Sequence, residues 1–170
     1  MKELLVLFEI HFWLWGLTTA LFKGLEKVFK KYNLTEAQVL VTLFVFSRRG
    51  INFKLLSEYM MNRQTTLTTI VDKLESKGIL ARIPDKQDRR NILLELTEEG
   101  KTVIRNVVSE GFKVYSEISV GRPEYEQLLR MRADLRRLAA NLGIEQQFQA
   151  CIPGMLELVE GAVQSANNEK

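Results

Sequence analysis

The fold is decided by residues 62–96, which read NRQTTLTTIVDKLESKGILARIPDKQDRRNILLEL. The apolar residues of the first half recur at spacings of three and four, at Leu67, Ile70, Val71 and Leu74. This spacing predicts one apolar face of an amphipathic helix, and Gly78 predicts where the helix ends. In the second half, the apolar runs 79–83 and 92–96 flank a polar segment and predict a β-hairpin with a long charged tip.

The opposite face of this helix is unusually polar. It carries four threonines, although threonine has a mediocre helix propensity. The candidate binding residues on this face are Arg63, Gln64, Thr65, Thr66, Thr68, Thr69 and Lys73. Taken alone, a polar helix face is an ordinary solvated surface. Lys73, Lys77 and Arg82 are equally open to two interpretations, as phosphate contacts or as surface charge.

Two more helices are predicted immediately before this stretch. Thr35 is a suitable N-cap, and Gln38 three residues later completes a capping box that satisfies exposed backbone amides. Gly50 predicts the end of that helix. A shorter helix is predicted from about Phe53 to Met60, followed by a turn at residues 61–62.

Helices are also predicted after the hairpin. Thr97 followed by two acidic residues predicts the start of a long helix, because carboxylates are favoured in the first turn. Residues 121–123, Gly-Arg-Pro, break the chain, and two further amphipathic segments follow. The pattern as a whole therefore predicts a mainly α fold with a small β-hairpin wing.

The first helical segment is apolar on nearly every side from Leu4 to Phe22. Such a helix must be covered on several sides, so part of its surface predicts a subunit interface. Glu9 and His11 interrupt the segment, which argues against a membrane span and favours a buried helix of a soluble protein. The candidate dimerisation residues are Leu7, Phe8, Phe12, Trp15, Leu135, Leu138, Leu142 and Leu156.

Charge and composition limit the classes of function that this protein can have. The chain has 24 Lys and Arg against 21 Asp and Glu, but residues 48–105 hold twelve basic and eight acidic side chains, so the excess positive charge lies in the middle. No nucleophile, base and orienting group can be assembled into a catalytic set, so we predict no enzyme. The single His11 and single Cys151 predict no metal and no cofactor, and one cysteine fits a cytoplasmic location.

The order of short helix, turn, polar-faced helix and basic hairpin fits double-stranded DNA. The major groove admits one helix, whose first turns present side chains to base edges. The hairpin tip carries the candidate contacts Lys86, Asp88, Arg89 and Arg90. An arginine there could enter a narrow minor groove, and Asp88 would orient the adjacent arginine through a charge-assisted pair.

At these positions the sequence resembles the MarR family of winged-helix regulators. The resemblance rests on Leu34-Thr35 with Gln38, on TLTTIVDKLESKGI at 66–79, on Asp88-Arg89-Arg90 and on LTEEG at 96–100. It implies a winged helix-turn-helix flanked by N- and C-terminal dimerisation helices. The implied units are 1–33 for N-terminal dimerisation, 34–100 for DNA binding and 101–170 for C-terminal dimerisation.

The resemblance also assigns roles to wing residues. It implies that Arg90 reads the minor groove and that Asp88 is its buttress. Two positions depart from the family pattern: Thr69 stands where arginine is frequent, and Arg63 stands where a small capping residue is usual. The base preference of the helix is therefore left open.

Two functions follow as hypotheses. The first is a homodimeric repressor that leaves a palindromic operator when a small aromatic or amphipathic effector binds. The alternative is a winged-helix architectural or protein-interaction module without sequence-specific regulation. Phe12, Trp13 and Trp15 are candidates for lining an effector pocket, although packing in a core or interface is the commoner use of such residues.

Overall fold

The computed structural model describes residues 2–60, 64–86, 88, 90–118 and 124–168. Its helices are α1 (Lys2–Lys31), α2 (Glu36–Arg48), α3 (Phe53–Met60), α4 (Gln64–Ser76), α5 (Glu98–Ile118), α6 (Tyr125–Asn141), α7 (Glu145–Gln149) and α8 (Ile152–Asn168). Its strands are β1 (Ile51–Asn52), β2 (Leu80–Pro84) and β3 (Ile92–Leu96). The prediction of a mainly α fold with a small β wing is confirmed.

Helix α2 lies at the centre of the core, in contact with α1, α3, α4, α5, α8 and β3. It begins with the predicted capping box, in which Thr35 Oγ1 accepts from the Gln38 N–H and Gln38 Oε1 accepts from the Thr35 N–H at 3.0 Å. Val41 and Thr42 are fully buried. The buried Thr42 hydroxyl donates to the Gln38 carbonyl at 2.7 Å, so no unsatisfied donor results.

The amphipathic pattern of α4 is confirmed. Leu67, Val71 and Leu74 are fully buried against the core. The helix ends at Ser76, and the turn that follows contains Gly78, whose φ of 70° is in the left-handed region that glycine adopts without steric cost. The next residue, Ile79, donates its N–H to the Leu74 carbonyl at 3.0 Å, which satisfies one of the last free carbonyls of the helix.

The sheet has three strands in the order β1-β3-β2, whereas the sequence predicted two. The additional strand β1 pairs Ile51 with Leu94, and both residues are fully buried. Because β1 has only two residues, it has no periodicity to detect. Strand β2 begins at Leu80 and not at Ile79 as predicted, because the Ile79 N–H donates to the Leu74 carbonyl in the turn that follows α4.

The start of α5 packs closely against the end of α4. Thr97 Oγ1 accepts from the Gly100 N–H at 2.9 Å and donates to the Gly78 carbonyl at 2.5 Å, which confirms Thr97 as the cap. A Cβ atom on Gly100 would lie 2.1 Å from the Ile79 carbonyl oxygen. Position 100 must therefore be glycine, because there is no space for a side chain where α5 starts beside Ile79.

The C-terminal helix α8 packs on α5 and α2 of its own chain. Cys151, just before it, and Leu158 and Ala162 within it are buried. The predicted amphipathic segment is thus present, but its buried side belongs to the core of a single chain. Leu156 of the predicted interface set is exposed on the same helix.

The N-terminal half of α1 is not covered by the chain, so the expectation of a buried helix is wrong for a single subunit. Trp13 and Trp15 are 64% and 61% exposed. By length and composition alone, α1 is apolar enough to cross a membrane. No described residue of α6 is buried. The exposed members of the predicted interface are Leu7, Phe8, Phe12, Trp15, Leu135, Leu142 and Leu156, and Leu138 is half-buried.

Candidate nucleic-acid interface

Helix α4 presents its polar face to solvent. Because Leu67, Val71 and Leu74 turn towards the core, the described side chains on the other face are exposed, at Thr66, Thr68, Thr69, Asp72 and Lys73. Gln64 and Thr65 form the first turn of the helix. Arg63, also predicted as a contact, lies outside the described residues. The exposed face combines hydroxyl groups with charge.

Helix α3 precedes α4 and packs against it, as in a helix-turn-helix. Its start is capped by Asn52, whose Oδ1 accepts from the Leu55 N–H at 2.8 Å. Leu56 and Tyr59 are buried, and the Tyr59 ring stacks on Phe44 of α2 with centroids 5.3 Å apart. The Asn52 cap was not predicted, although asparagine is a preferred N-cap residue. The predicted turn at residues 61–62 lies outside the described residues.

Asp88 organises the tip of the wing. Its Oδ1 accepts from the Arg90 N–H at 3.0 Å, and its Oδ2 accepts from the Asn91 side-chain amide at 3.3 Å. Across the hairpin, the Asp85 N–H donates to the Asn91 carbonyl at 2.9 Å. The contact between Asp88 and Arg90 therefore uses the main chain of Arg90, whereas the sequence suggested a pair with a guanidinium group.

The predicted wing contacts lie at the exposed end of the hairpin. Lys86, Asp88 and Arg90 are all exposed. Arg89, the fourth candidate, lies outside the described residues. The three described residues lie between the end of β2 and the start of β3, so they belong to one charged loop at the tip of the hairpin.

Arg82 connects the wing to α4 and was not recognised as a connecting residue from sequence. Its Nη2 lies 2.5 Å from Asp72 Oδ1, its Nη1 pairs with Glu75, and its guanidinium carbon lies 5.5 Å from the centre of the Phe53 ring. The hydrogen bond to Asp72 is the main cause of a raised pKa at Arg82. One side chain thus joins β2, α4 and α3.

Lys77 and Lys73 differ in their surroundings. The Lys77 ammonium donates to the Asn33 carbonyl and lies 3.4 Å from Gln38 Oε1, so it joins the end of α4 to the start of α2. Lys73, one turn earlier, is exposed, and no carboxylate of the described residues forms an ion pair with it. Lys73 is therefore the better placed of the two to meet a phosphate.

Two cavities lie beside the helices that flank this surface. One has a volume of about 210 Å³ and lies between α1, α2, α5 and α8, with Leu25, Leu43, Val107 and Phe112 among its walls. The other has a volume of about 500 Å³ and lies between α1, the start of α2 and α4. The candidate effector residues Phe12, Trp13 and Trp15 line neither cavity.

Comparison with known proteins places this geometry in a family. A family model described as MarR family matches residues 33–92, which include α2, α3, α4 and β2. The HTH-type transcriptional regulator PecS of Dickeya dadantii (strain 3937) is 35% identical over 127 residues, covering 71% of this chain and 74% of PecS. The chain belongs to the MarR family. It is accordingly a DNA-binding transcription regulator with a winged-helix fold.

Two further similarities agree with this assignment. The HTH-type transcriptional regulator SarZ of Staphylococcus aureus (strain USA300) is 27% identical over 128 residues, covering 75% of this chain and 82% of SarZ. The solved structure of CouR from Rhodococcus jostii RHA1, bound to p-coumaroyl-CoA, has a TM-score of 0.67 with 24% identity. It covers 76% of this MarR-family chain and 91% of CouR.

Proposed function

We propose that this MarR-family protein is a homodimeric repressor that binds a palindromic operator and is released from it by a small-molecule effector. The observation that carries the proposal is the joining of α4 and the wing by Arg82. A helix and a hairpin held together in this way can enter adjacent major and minor grooves of one duplex.

Sequence would be selected by α4 in the major groove. The proposed contacts are Arg63, Gln64, Thr65, Thr66, Thr68, Thr69 and Lys73. Glutamine pairs with adenine through two hydrogen bonds, arginine pairs with guanine, and the threonine methyl group contacts the thymine methyl. Lys73, which has no acidic partner among the described residues, would contact a phosphate and add affinity without selecting a base.

Groove shape would be read by the wing. The proposed contacts are Lys86, Asp88, Arg89 and Arg90. A narrow minor groove concentrates negative potential and attracts a guanidinium group. Asp88 would act indirectly, because its carboxylate already accepts from the Arg90 N–H and so sets the conformation of the tip.

A second copy of the chain would cover the exposed apolar surfaces. This surface consists of the apolar half of α1, in the proposed unit 1–33, and the exposed stripe of α6, in the proposed unit 101–170. The proposed DNA-binding unit, 34–100, lies between these two units in the sequence. A bilayer suits α1 less well, because Glu9 and His11 lie in its apolar half and a charge in lipid is costly. A dimer with two-fold symmetry would place its two α4 helices about 34 Å apart, at successive turns of a palindromic DNA site. We propose that the protein acts in the cytoplasm.

An effector would act from the apolar cavity between α1, α2, α5 and α8. CouR is a relative in fold whose structure holds p-coumaroyl-CoA, which supports ligand control here. The cavity contacts both the proposed dimer helices and the DNA-binding unit. A ligand shifts DNA affinity only if it binds one orientation of these units more tightly than the other. No catalytic step is part of the proposal.

The test is a comparison of matched duplexes. Fragments bound by the purified protein are selected from a random library and sequenced, and affinities for the enriched duplex and a scrambled duplex are measured across salt concentrations. We expect a palindromic site and a specificity ratio of about 10³ or more. A ratio near one at every salt concentration would contradict the proposal and favour the architectural alternative.

The dimer has its own test. We expect sedimentation equilibrium to show a dimer for the wild type and a monomer for Trp15→Glu, because a carboxylate would be buried in the apolar interface. Lys27→Glu is the matched control, since Lys27 is exposed on the same helix outside its apolar half. Dimerisation of Trp15→Glu with wild-type affinity would exclude this surface.

A further inference from the structure

A third cavity, of about 270 Å³, lies between the end of α2, β3, the first turns of α5 and α8. Its described walls share no residue with the two cavities above, and none of them belongs to α1. The buried Val45 and Leu96 and the half-buried Phe46 form its apolar side. At about 30 Å³ per water molecule, this volume equals roughly nine waters, so the cavity admits a small organic molecule with an apolar side chain.

Most of the charged groups around this cavity are already paired. Arg49, after the end of α2, forms an ion pair with Glu157 of α8 at 3.0 Å. Lys101 of α5 pairs with Glu98 at 2.6 Å. The pKa of Glu98 is lowered mainly by its hydrogen bond to Lys101, and Arg105 contributes only weakly. Lys101, Arg49 and Glu157 therefore give the cavity no excess charge of either sign.

Two charged groups of the walls, Arg105 and Glu95, form no ion pair with any described residue. The Arg105 guanidinium carbon lies 5.9 Å from the centre of the Phe46 ring. A guanidinium over an aromatic ring can still bind a carboxylate through two parallel hydrogen bonds. A Cβ atom on Gly50 would lie 3.4 Å from Glu95 Oε1, so this carboxylate lies over Gly50, where no side chain of that residue covers it.

We propose that this cavity binds a small zwitterion, namely an α-amino acid with an aliphatic side chain. The ligand carboxylate pairs with Arg105, the ligand ammonium pairs with Glu95, and the aliphatic side chain packs on Phe46. A zwitterion fits better than a simple anion or cation, because the described walls hold one unpaired group of each sign. The site does not depend on the proposed function, since no DNA contact takes part in it.

The binding test uses the full-length protein without DNA. Isothermal titration at neutral pH compares L-leucine with N-acetyl-L-leucine, which lacks the ammonium, and with L-leucinamide, which lacks the carboxylate. We expect each derivative to bind about tenfold more weakly than L-leucine, because each loses a hydrogen bond between two charged groups. Equal affinity for the three ligands, or no binding of L-leucine, would overturn the proposal.

Two variants identify the partners of the ligand. We expect Glu95→Gln to bind L-leucine and N-acetyl-L-leucine equally, and Arg105→Gln to bind L-leucine and L-leucinamide equally. Arg132→Gln is the matched control and should keep both preferences, because Arg132 is exposed on α6 and does not line the cavity. A preference for L-leucine over both derivatives that persists in Glu95→Gln and Arg105→Gln would refute the assignment.

Thermal unfolding supplies a second measurement, because a ligand that binds only the folded state raises the Tm. We expect L-leucine to raise the Tm of the wild type and of Arg132→Gln, and to leave that of Glu95→Gln and Arg105→Gln nearly unchanged. Equal rises in all four proteins would mean that L-leucine binds elsewhere, such as the apolar cavity between α1 and α5, whose described walls carry no charged residue. That outcome would contradict the site and leave the proposed function untouched.

Discussion

Arg82 of β2 and Asp72 of α4 form an ion pair, with 2.5 Å between Nη2 and Oδ1. The same guanidinium pairs with Glu75 one turn later and lies over the Phe53 ring of α3. Asp72 and Glu75 would otherwise place two negative charges on the helix that we propose meets DNA. Arg82 thus offsets one of these two charges and holds the wing beside the helix at the same time.

The Arg82→Ala variant should bind DNA several-fold more weakly and lose about 1 kcal/mol of unfolding free energy. The loss in stability is modest because Asp72 and Glu75 are partly exposed. Urea unfolding and fluorescence anisotropy with the selected duplex measure the two effects. Arg49→Ala is the control, since Arg49 pairs with Glu157 and is 81% exposed, and it should change neither quantity. Unchanged DNA affinity in Arg82→Ala would exclude the coupling.

The Arg90→Ala variant should weaken DNA binding and reduce the slope of log affinity against log salt by about one unit. The reason is that one cation fewer displaces counterions from the duplex. Anisotropy titrations between low and physiological salt measure the slope. Lys113→Ala, which removes an exposed cation from α5, should leave it unchanged. An unaltered slope in Arg90→Ala would remove the wing tip from the mechanism.

The Asp88→Ala variant should also weaken DNA binding, although it removes a negative charge from the wing. The carboxylate accepts from the Arg90 N–H and the Asn91 amide, so its loss releases the conformation of the tip. Asp88→Asn keeps an acceptor oxygen for the Arg90 N–H and should retain most of the affinity. Fluorescence anisotropy with the selected duplex ranks the DNA affinities of the wild type, Asp88→Asn and Asp88→Ala. Tighter binding by Asp88→Ala would mean that Asp88 merely repels DNA.

The Gly100→Ala variant should lose at least about 1 to 3 kcal/mol of unfolding free energy, the usual cost of overpacking. A Cβ atom at this position would lie 2.1 Å from a backbone oxygen, which cannot move as a side chain can. Gly161→Ala is the matched control in α8, where a Cβ meets nothing within 4 Å and where alanine should stabilise the helix. Urea unfolding that shows equal stability for the two variants would contradict this packing.

Tyr32 should make the protein less stable in alkaline solution. Burial, together with its hydrogen bond to Glu110, raises the pKa of Tyr32 to about 12. Because the folded-state pKa lies above the unfolded value of about 10, the stabilisation is complete below pH 10 and is lost as the pH rises towards 12. Urea unfolding across this window should show a smaller decline for Tyr32→Phe than for the wild type. Parallel declines would exclude Tyr32 as the cause.

Glu110 of α5 links the end of α1 to α5 through two hydrogen bonds. It accepts from the Tyr32 hydroxyl at 2.5 Å and from the Lys31 ammonium at 2.7 Å. The Lys31 hydrogen bond, and then that of Tyr32, lower the pKa of the Glu110 carboxyl. The end of α1 is thereby held against α5, next to the apolar cavity that we propose for the effector.

The features that sequence predicted correctly are local. The apolar spacing of Leu67, Val71 and Leu74 repeats with the helical turn, and the cap at Thr35 finds its partner three residues away. The two wing strands were likewise predicted from their own apolar runs and from the polar segment between them. Such features depend on hydrogen bonds and periodicity within one or two turns of chain, so the identities of nearby residues determine them.

The tertiary structure alone decided which distant groups meet. Strand β1 exists because Ile51 reaches Leu94, and Arg82 became a connecting residue because folding brings β2 beside Asp72. The apolar cavity exists because folding brings together side chains of α1, α2, α5 and α8. Sequence by itself determined the helices, the wing and the DNA-binding class, because these depend on local pattern and matched motifs. The ion pairs of Arg82 with the α4 carboxylates and the walls of the apolar cavity came from the structure, because both depend on side chains that are far apart in the chain.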